Sequence, residues 1–382
     1  MTIDQGLVTR RALMKGAIVL GAAGLAPAMP GEARASNVSD KERGRMMSLA
    51  EGFMKRHKVP GMSVCIAHNG HIQFSEGLGL ASREDNQPVT PDSLFRIASL
   101  SKPITSVAIY TLVEKGLLKT SDRVFGRDSL FGSHYALKPD DTLTPEITVD
   151  HLLTHTVGAW TNDNRDPMFI DPAWTADMVI RSILYHEPPT AKPGRKYAYS
   201  NFGYCILGRV IEKVTGKSYE AYVREAVLQP SGATGLRIGA NTAAERAPGE
   251  VRYYPTDDWD PYSINVTRMD SHGGWIATAP DLVRFMLSYD RFKSVPDLLT
   301  AESTKAMTTP TKANQHYARG WGVNRGNWFH SGELPGTTTI MVRAANGLCW
   351  AALANTRKAN SSLGADMDDL IWKMTQQPRA WR

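Results

Sequence analysis

The chain has 382 residues, 42% hydrophobic and 21% charged, a balance that builds a folded core and excludes a disordered polyelectrolyte. The formal net charge is +6, and part of that excess sits in the first 35 residues, where Arg10, Arg11, Lys15 and Arg34 face only Asp4 and Glu32. The remainder is spread thinly with no long Lys/Arg run, which gives nucleic-acid binding no support, and no run of about 18 apolar residues predicts a membrane span.

Residues 1–35 read as a targeting segment. Thr9-Arg10-Arg11-Ala12-Leu13-Met14-Lys15 resembles a twin-arginine export signal. Gly16 to Leu25 is its mildly apolar, Gly/Ala-rich stretch, and Ala33-Arg34-Ala35 is a small-x-small cleavage site before Ser36. A chain exported by that route folds first and then works in the periplasm or outside the cell, with no stable membrane span after cleavage.

Asp40 to His57 carries Met46, Met47, Leu49, Ala50, Phe53 and Met54 at helical spacing. Pro60-Gly61 then turns into an apolar strand, Met62 to Ala67. His68-Asn69-Gly70-His71 is a hairpin turn, because Asn-Gly accepts positive φ at both positions. Ile72 to Gly77 returns as the partner strand, with Gly79 to Ala81 as its extension. Residues 99–116 form the next helix, with Ile104, Val107, Ala108, Ile109, Leu112 and Val113 at helical spacing. Pro103 falls in its first turn, where a missing N–H costs nothing, and Gly116 ends it.

Residues 120–145 are polar and turn-rich. Ile147 to Thr156 reads as a short helix capped by Thr148. Its His151 and His155 have the spacing of a metal pair but lack the glutamate of a zinc protease motif, which favours structural roles. Trp174–His186, Gly203–Val214, Ser218–Val227 and Asp281–Tyr289 are further helices, and residues 240–272 are mostly loop. Strand patterns return at Trp321–Val323, Asn327–His330, Thr337–Arg343 and Leu348–Ala354, with Asn346-Gly347 as a second hairpin turn. Leu363 to Met374 closes the chain as a helix.

Strands at both ends with helices between predict an α+β fold, an antiparallel sheet flanked by helices. Residues 36–95 and 300–382 would build the sheet domain, and 96–299 an inserted α-rich domain. Cys65, Cys205 and Cys349 all sit in apolar contexts and read as buried free thiols. A Cys65–Cys349 bridge is not needed by a chain that folds in a reducing compartment.

The chemistry centres on Ser99-Leu100-Ser101-Lys102-Pro103. Three residues is about one helical turn, so the Ser99 hydroxyl and the Lys102 ammonium share a face. A serine hydroxyl is a weak nucleophile at neutral pH and needs an adjacent base or cation. Two more phrases follow in order: Tyr199-Ser200-Asn201, and His330-Ser331-Gly332 on a late strand.

This ordered set resembles the serine β-lactamase and penicillin-recognising enzyme superfamily. Within it the likeness is to class C β-lactamases, D-Ala-D-Ala carboxypeptidases, D-aminopeptidases and β-lactamase-like esterases, over about residues 40–375. The phrases around the motifs agree, among them Tyr199 to Tyr204, Gly273 to Leu282 and His330 to Gly336. The resemblance implies a β-lactamase/transpeptidase-like fold with the active site at the junction of its two parts. It implies that Ser99 attacks a carbonyl to form an acyl-enzyme, and that Lys102 and Tyr199 relay the proton. Asn201 would orient Lys102 or the substrate amide. His330, Ser331 and Gly332 would form the third motif, and the backbone N–H groups of Ser99 and Glu333 the oxyanion hole. Two assignments of the base stay open: a Tyr199 phenolate whose pKa Lys102 holds down, or a neutral Lys102. Tyr197 competes for the tyrosine role, but Tyr199 occupies the motif position.

His330 is a departure, because class C β-lactamases carry lysine there. A lysine is a permanent cation at pH 7, whereas a histidine is charged only part of the time, so efficient β-lactam hydrolysis is not expected. The resemblance implies no metal and no cofactor. The reading is therefore a serine hydrolase acting on a small ester, amide or D-amino-acid peptide, with esterase-like activity favoured. D-Ala-D-Ala carboxypeptidase or D-aminopeptidase activity is the alternative. A non-catalytic binder of cell-wall peptides is the alternative of another class, and the intact relay argues against it. Acyl transfer to an alcohol or amine would use the same acyl-enzyme. Loops 158–171 and 250–275 would choose the substrate, with Trp160, Trp174, Tyr253, Tyr254, Trp259 and Tyr262 as aromatic candidates for its walls. Neither the natural substrate nor the oligomeric state is written in these motifs.

Overall fold

The computed structural model describes residues 36–381 apart from Asn164 and Asn360, so the targeting segment expected over residues 1–35 lies outside the described residues. Helix α1 (Asp40–His57) starts at a capping box: the Ser39 side chain accepts from the Glu42 N–H while the Glu42 carboxylate takes the Ser39 N–H. Strands β1 (Gly61–His68) and β2 (His71–Ser82) form the expected hairpin. Asn69 and Gly70 have φ of 51° and 82°, the two positive values that a two-residue turn of this hand requires. Gln87–Pro88 is β3, on the far edge.

From the other end of the chain come β4 (Gly322–Asn324), β5 (Asn327–Leu334), β6 (Thr337–Arg343) and β7 (Leu348–Ala354). The seven strands order as β3-β2-β1-β7-β6-β5-β4, antiparallel throughout. The second hairpin differs slightly from the expected one. Arg343 pairs with Cys349 and the Ala344 N–H donates to the Leu348 carbonyl, so the turn has three residues, with Gly347 at φ 89°.

Alternation along the strands sends side chains into two cores. Val64, Ile66, Ile340, Val342 and Trp350 pack with Met46 and Phe53 of α1 and with Met367 and Ile371 of the closing helix. Cys65, Ala67, Met341, Cys349, Ala351 and Leu353 face the opposite way, into the larger core of the helical region. All three cysteines are buried and free. Cys65 pairs with Ala351, and Cys349 with Ala67, so the two thiols belong to different cross-strand pairs.

The helices α2 (Ser101–Glu114), α3 (Ala176–His186), α4 (Asn201–Thr215), α5 (Ala279–Leu287), α6 (Ala301–Thr308) and α7 (Leu363–Thr375) complete the main elements. α2 is buried around most of its circumference. The predicted helix from 147 shrinks to Val149–Leu153, with Thr148 as its cap as expected. The helix expected over 218–227 is Tyr219–Val223 followed by a wider turn, Arg224–Leu228. α4 begins two residues earlier than its apolar pattern because Ser200 caps it, accepting from the Gly203 N–H. α6 was not anticipated; its cap residue Thr300 is tied to Glu114 at the end of α2.

Candidate active site

Ser99 lies in a short 3-10 turn, Ala98–Leu100, that runs directly into α2. Ala98 holds a positive φ of 50°, a strained value for a residue with a Cβ. The surrounding sheet supports that strain. Thr337 Oγ donates to the Arg96 carbonyl at 3.0 Å and Thr339 Oγ to the Ile97 carbonyl at 2.9 Å, so β6 pins the chain just before Ser99. β5 lies flush against the same segment. A Cβ on Gly332 would stand 2.5 Å from the Ile97 oxygen and 3.0 Å from the Ser99 nitrogen, which is why glycine occupies the end of that motif.

Lys102 is fully buried one turn after Ser99. Its Nζ donates to Ser99 Oγ at 3.0 Å, to Asn201 Oδ1 at 2.6 Å and to the His272 carbonyl at 2.9 Å. Burial pulls the ammonium down from its ordinary value to about 7, with Asp166 opposing the shift. The orientation of Asn201 is fixed, because its Nδ2 donates to Asp166 Oδ2 at 2.6 Å and its Oδ1 must then face Lys102. When Lys102 loses a proton, two N–H groups remain. The His272 carbonyl and Asn201 Oδ1 can only accept, so they keep those two. The lone pair is left pointing at Ser99 Oγ.

Tyr199 reaches the same hydroxyl through a side-chain hydrogen bond, and Lys102 Nζ sits 4.8 Å from its ring centre. Burial drives the phenol above its ordinary value, and the bond to Ser99 opposes this. Of the two bases left open by the sequence, these surroundings favour the neutral amine over the phenolate. Tyr197 lines the cleft but makes no contact with Ser99 that matches this one.

His330 is buried and uncharged: burial, then the nearby Lys102, lowers it to about 3. Its Nδ1 faces the Ser331 carbonyl at 2.7 Å, and its Nε2 the Tyr317 hydroxyl at 3.0 Å. Ser331 and Glu333 line the cleft with it, and the Glu333 carboxylate pairs with Arg357 at 3.2 Å. The motif residues therefore meet in one place, Ser99, Lys102, Tyr199 and Asn201 at the floor and His330 to Glu333 along one wall.

Sequence reading did not single out Asp166, Tyr317 or His272. Asp166 belongs to a loop clamped on both sides. The Asn162 N–H donates to the Tyr199 carbonyl, and the Arg268 guanidinium donates to the carbonyls of Met168, Ile170, Asp171 and Trp174. The aromatic candidates need correction. Only Trp259 of the six lines the cleft. Trp160 is buried and donates to the Glu187 carbonyl, Tyr253 bonds Glu250, Tyr254 bonds Glu84, Tyr262 packs on Arg96, and Trp174 stands in a separate hollow beside α3. They pack loops; the apolar lining comes instead from Phe169, Met269, Phe329 and Leu334 around a cleft of about 740 Å³.

The two spaced histidines serve separate structural ends. His151 Nδ1 accepts from the Thr148 N–H, and His155 Nδ1 from the Ser200 N–H. Among the described residues no group of three or more His, Cys, Asp or Glu side chains is placed to hold a metal ion, and no helix is long and apolar enough to cross a membrane.

An antiparallel sheet built from both chain ends, with Ser-x-x-Lys at the start of a buried helix and a Tyr-x-Asn phrase against it, defines a serine-hydrolase-type protein of the β-lactamase and penicillin-binding-protein superfamily. The chain belongs to the beta-lactamase family, whose model matches residues 47–370. It is 28% identical over 335 residues to penicillin-binding protein 4* of Bacillus subtilis, covering 80% of this chain and 70% of that one. It is 28% identical over 255 residues to esterase EstB of Burkholderia gladioli, covering 63% and 62%. The D-amino acid amidase of Ochrobactrum anthropi shares the fold with a TM-score of 0.71 at 22% identity, over 88% of this chain and 98% of that one. The chain spans about six to seven tenths of the length of the curated relatives it matches.

Proposed function

We propose that this protein hydrolyses small uncharged carboxylic esters through an acyl-enzyme on Ser99. The observation that carries the reading is the shared Ser99 hydroxyl, held by Lys102 and Tyr199, at the foot of a cleft whose one lysine or arginine among the described lining residues is already paired. Among the described residues that line the cleft, Arg357 is the one lysine or arginine, and Glu333 and Asp257 neutralise it at 3.2 and 3.0 Å. Lys102 lies beneath the floor with its bonds filled, and His330 is neutral. A substrate carboxylate, which β-lactams and D-Ala-D-Ala peptides both carry, finds no free lysine or arginine there, and desolvating it costs several kcal/mol. A neutral ester meets apolar walls instead. The likeness to an esterase points the same way.

In this reading neutral Lys102 takes the proton of Ser99 as Oγ bonds to the carbonyl carbon and the carbonyl electron pair moves onto oxygen. The Ser99 and Glu333 N–H groups hold that oxyanion. Collapse expels the alcohol, which takes the proton from Lys102 by way of Tyr199. Water then repeats the sequence, with Ser99 as the leaving group.

The test is a panel on the mature chain and its Ser99→Ala variant: 4-nitrophenyl acetate and butyrate, a chromogenic cephalosporin, D-Ala-4-nitroanilide and a D-Ala-D-Ala peptide. Ester turnover that needs Ser99 and exceeds the other activities is expected. Turnover confined to the D-amino substrates would overturn the esterase reading in favour of a D-peptidase. Failure of Ser99 to label with a fluorophosphonate would sink nucleophilic catalysis altogether.

A further inference from the structure

A buried chain of hydrogen bonds runs along the cleft wall, and its two ends set the tautomers of both imidazoles in it. At one end the Ser200 N–H, which can only donate, points at His155 Nδ1 at 3.1 Å. His155 is neutral in its buried site, so its proton lies on Nε2 and is donated to the Tyr317 hydroxyl oxygen at 3.3 Å. At the other end the Ser331 carbonyl, which can only accept, lies 2.7 Å from His330 Nδ1, so that nitrogen carries the proton. His330 Nε2 is then a bare lone pair, and the Tyr317 hydroxyl donates to it at 3.0 Å. Both imidazoles are neutral, each in a set tautomer, and Tyr317 is the link between them.

We propose that Tyr317 is a specificity-determining positioning residue: by donating to His330 Nε2 it keeps the third-motif histidine an uncharged wall and so excludes anionic substrates. The proposal rests on the neutral-ester reading above and adds the residue that enforces it. A proton on Nε2 would turn that nitrogen into a donor facing a hydroxyl already aimed at it. The Tyr317 hydroxyl would have to turn its proton away, and the acceptor beside it is the Tyr204 oxygen, whose own proton is donated to the Leu153 carbonyl. Tyr317 itself is held in place. It pairs with Gly322, and two residues on Arg319 binds Asp150 at 2.6 Å while its carbonyl accepts from Ser106 Oγ of α2. The ionisable groups around the pair are Lys102 from α2, Tyr204 from α4, Tyr197 and Tyr199 from the segment before it, and His155. Lys102, when protonated, reinforces the exclusion of a second cation.

The experiment is histidine-nitrogen NMR on protein labelled with 15N-histidine, with His330→Gln used to identify the signals, together with rates on 4-nitrophenyl butyrate and 4-nitrophenyl hemisuccinate. In the unaltered protein His330 is expected as the Nδ1–H tautomer, neutral down to pH 5. In Tyr317→Phe the Nε2 resonance should lose its hydrogen-bond shift and His330 should take up a proton at least one pH unit higher. The hemisuccinate-to-butyrate ratio of kcat/KM at pH 5.5 should rise about tenfold. An Nε2–H tautomer or a cationic His330 at pH 7 in the unaltered protein overturns the proposal, whether or not the variant folds. So does a His330 titration and substrate ratio left unchanged by Tyr317→Phe. A protein inactive on both esters but showing the expected tautomer would refute the esterase reading while leaving the role of Tyr317 intact.

Discussion

At the level of single residues, the site works by leaving one group nothing else to do. Lys102 has three partners; two of them accept only, and the third is the Ser99 hydroxyl, the proposed nucleophile. Asn201 turns its oxygen toward Lys102 because its amide nitrogen donates to Asp166. Activity that needs the neutral amine should therefore rise with pH through an acid limb near 7, the value to which burial lowers Lys102. Asp166 acts against that lowering, so removing its charge moves the limb further down. For Asp166→Asn, pH–rate profiles of kcat/KM are expected to show an acid limb shifted to lower pH. The plateau should be about 10- to 100-fold lower, since Asn201 is then free to flip its N–H groups toward Lys102. A limb that stays in place or moves up would show that Asp166 does not act through Lys102.

At the level of elements, Ser99 is positioned by strands that are distant in sequence. β5 and β6 lean on the Arg96–Ser99 backbone through Thr337, Thr339 and the bare Cα of Gly332. Gly332→Ala sets a methyl against backbone atoms of Ile97 and Ser99 that cannot yield without moving the nucleophile. It is expected to lower stability by about 1–3 kcal/mol, read as a drop in thermal midpoint, and to lower ester turnover by two orders of magnitude or more. An unchanged rate would show that this close approach does not set the geometry of Ser99. What was legible in the sequence follows the same division. α1, the two hairpins and α7 were readable because periodicity and Asn-Gly turns are local signals. Ser99, Lys102, Tyr199, Asn201 and His330 were readable because their phrases keep a fixed order. Asp166 and Tyr317 were not, since each acquires its role through partners far along the chain, Asn201 for one and His155 and His330 for the other. The loop aromatics misled for the same reason: Trp160 and Tyr253 look like cleft walls by composition, and only their partners, the Glu187 carbonyl and the Glu250 carboxylate, show them to be loop packing.

For the whole molecule, the sheet cannot close until the last strands exist. β1 has β7 as its neighbour, and α1 packs with α7 in one core, so the first and last quarters of the chain stabilise each other. A chain built this way exposes unpaired strand edges until synthesis is complete, and such edges invite aggregation. That suits a route carrying finished proteins, and we propose that residues 1–35 direct export through the twin-arginine pathway. The charge supports this, since Arg10 and Arg11 precede an h-region that is short, mildly apolar and rich in glycine and alanine. With residues 1–35 fused to a reporter that fluoresces only when folded before export, periplasmic fluorescence is expected. Replacing both arginines by lysine should hold the precursor in the cytoplasm, because the receptor reads the guanidinium pair and not charge alone. Export that survives the lysine pair but fails when the general secretion route is blocked would assign the segment to that route. The chain would then have to cross unfolded and pair its two ends on the far side.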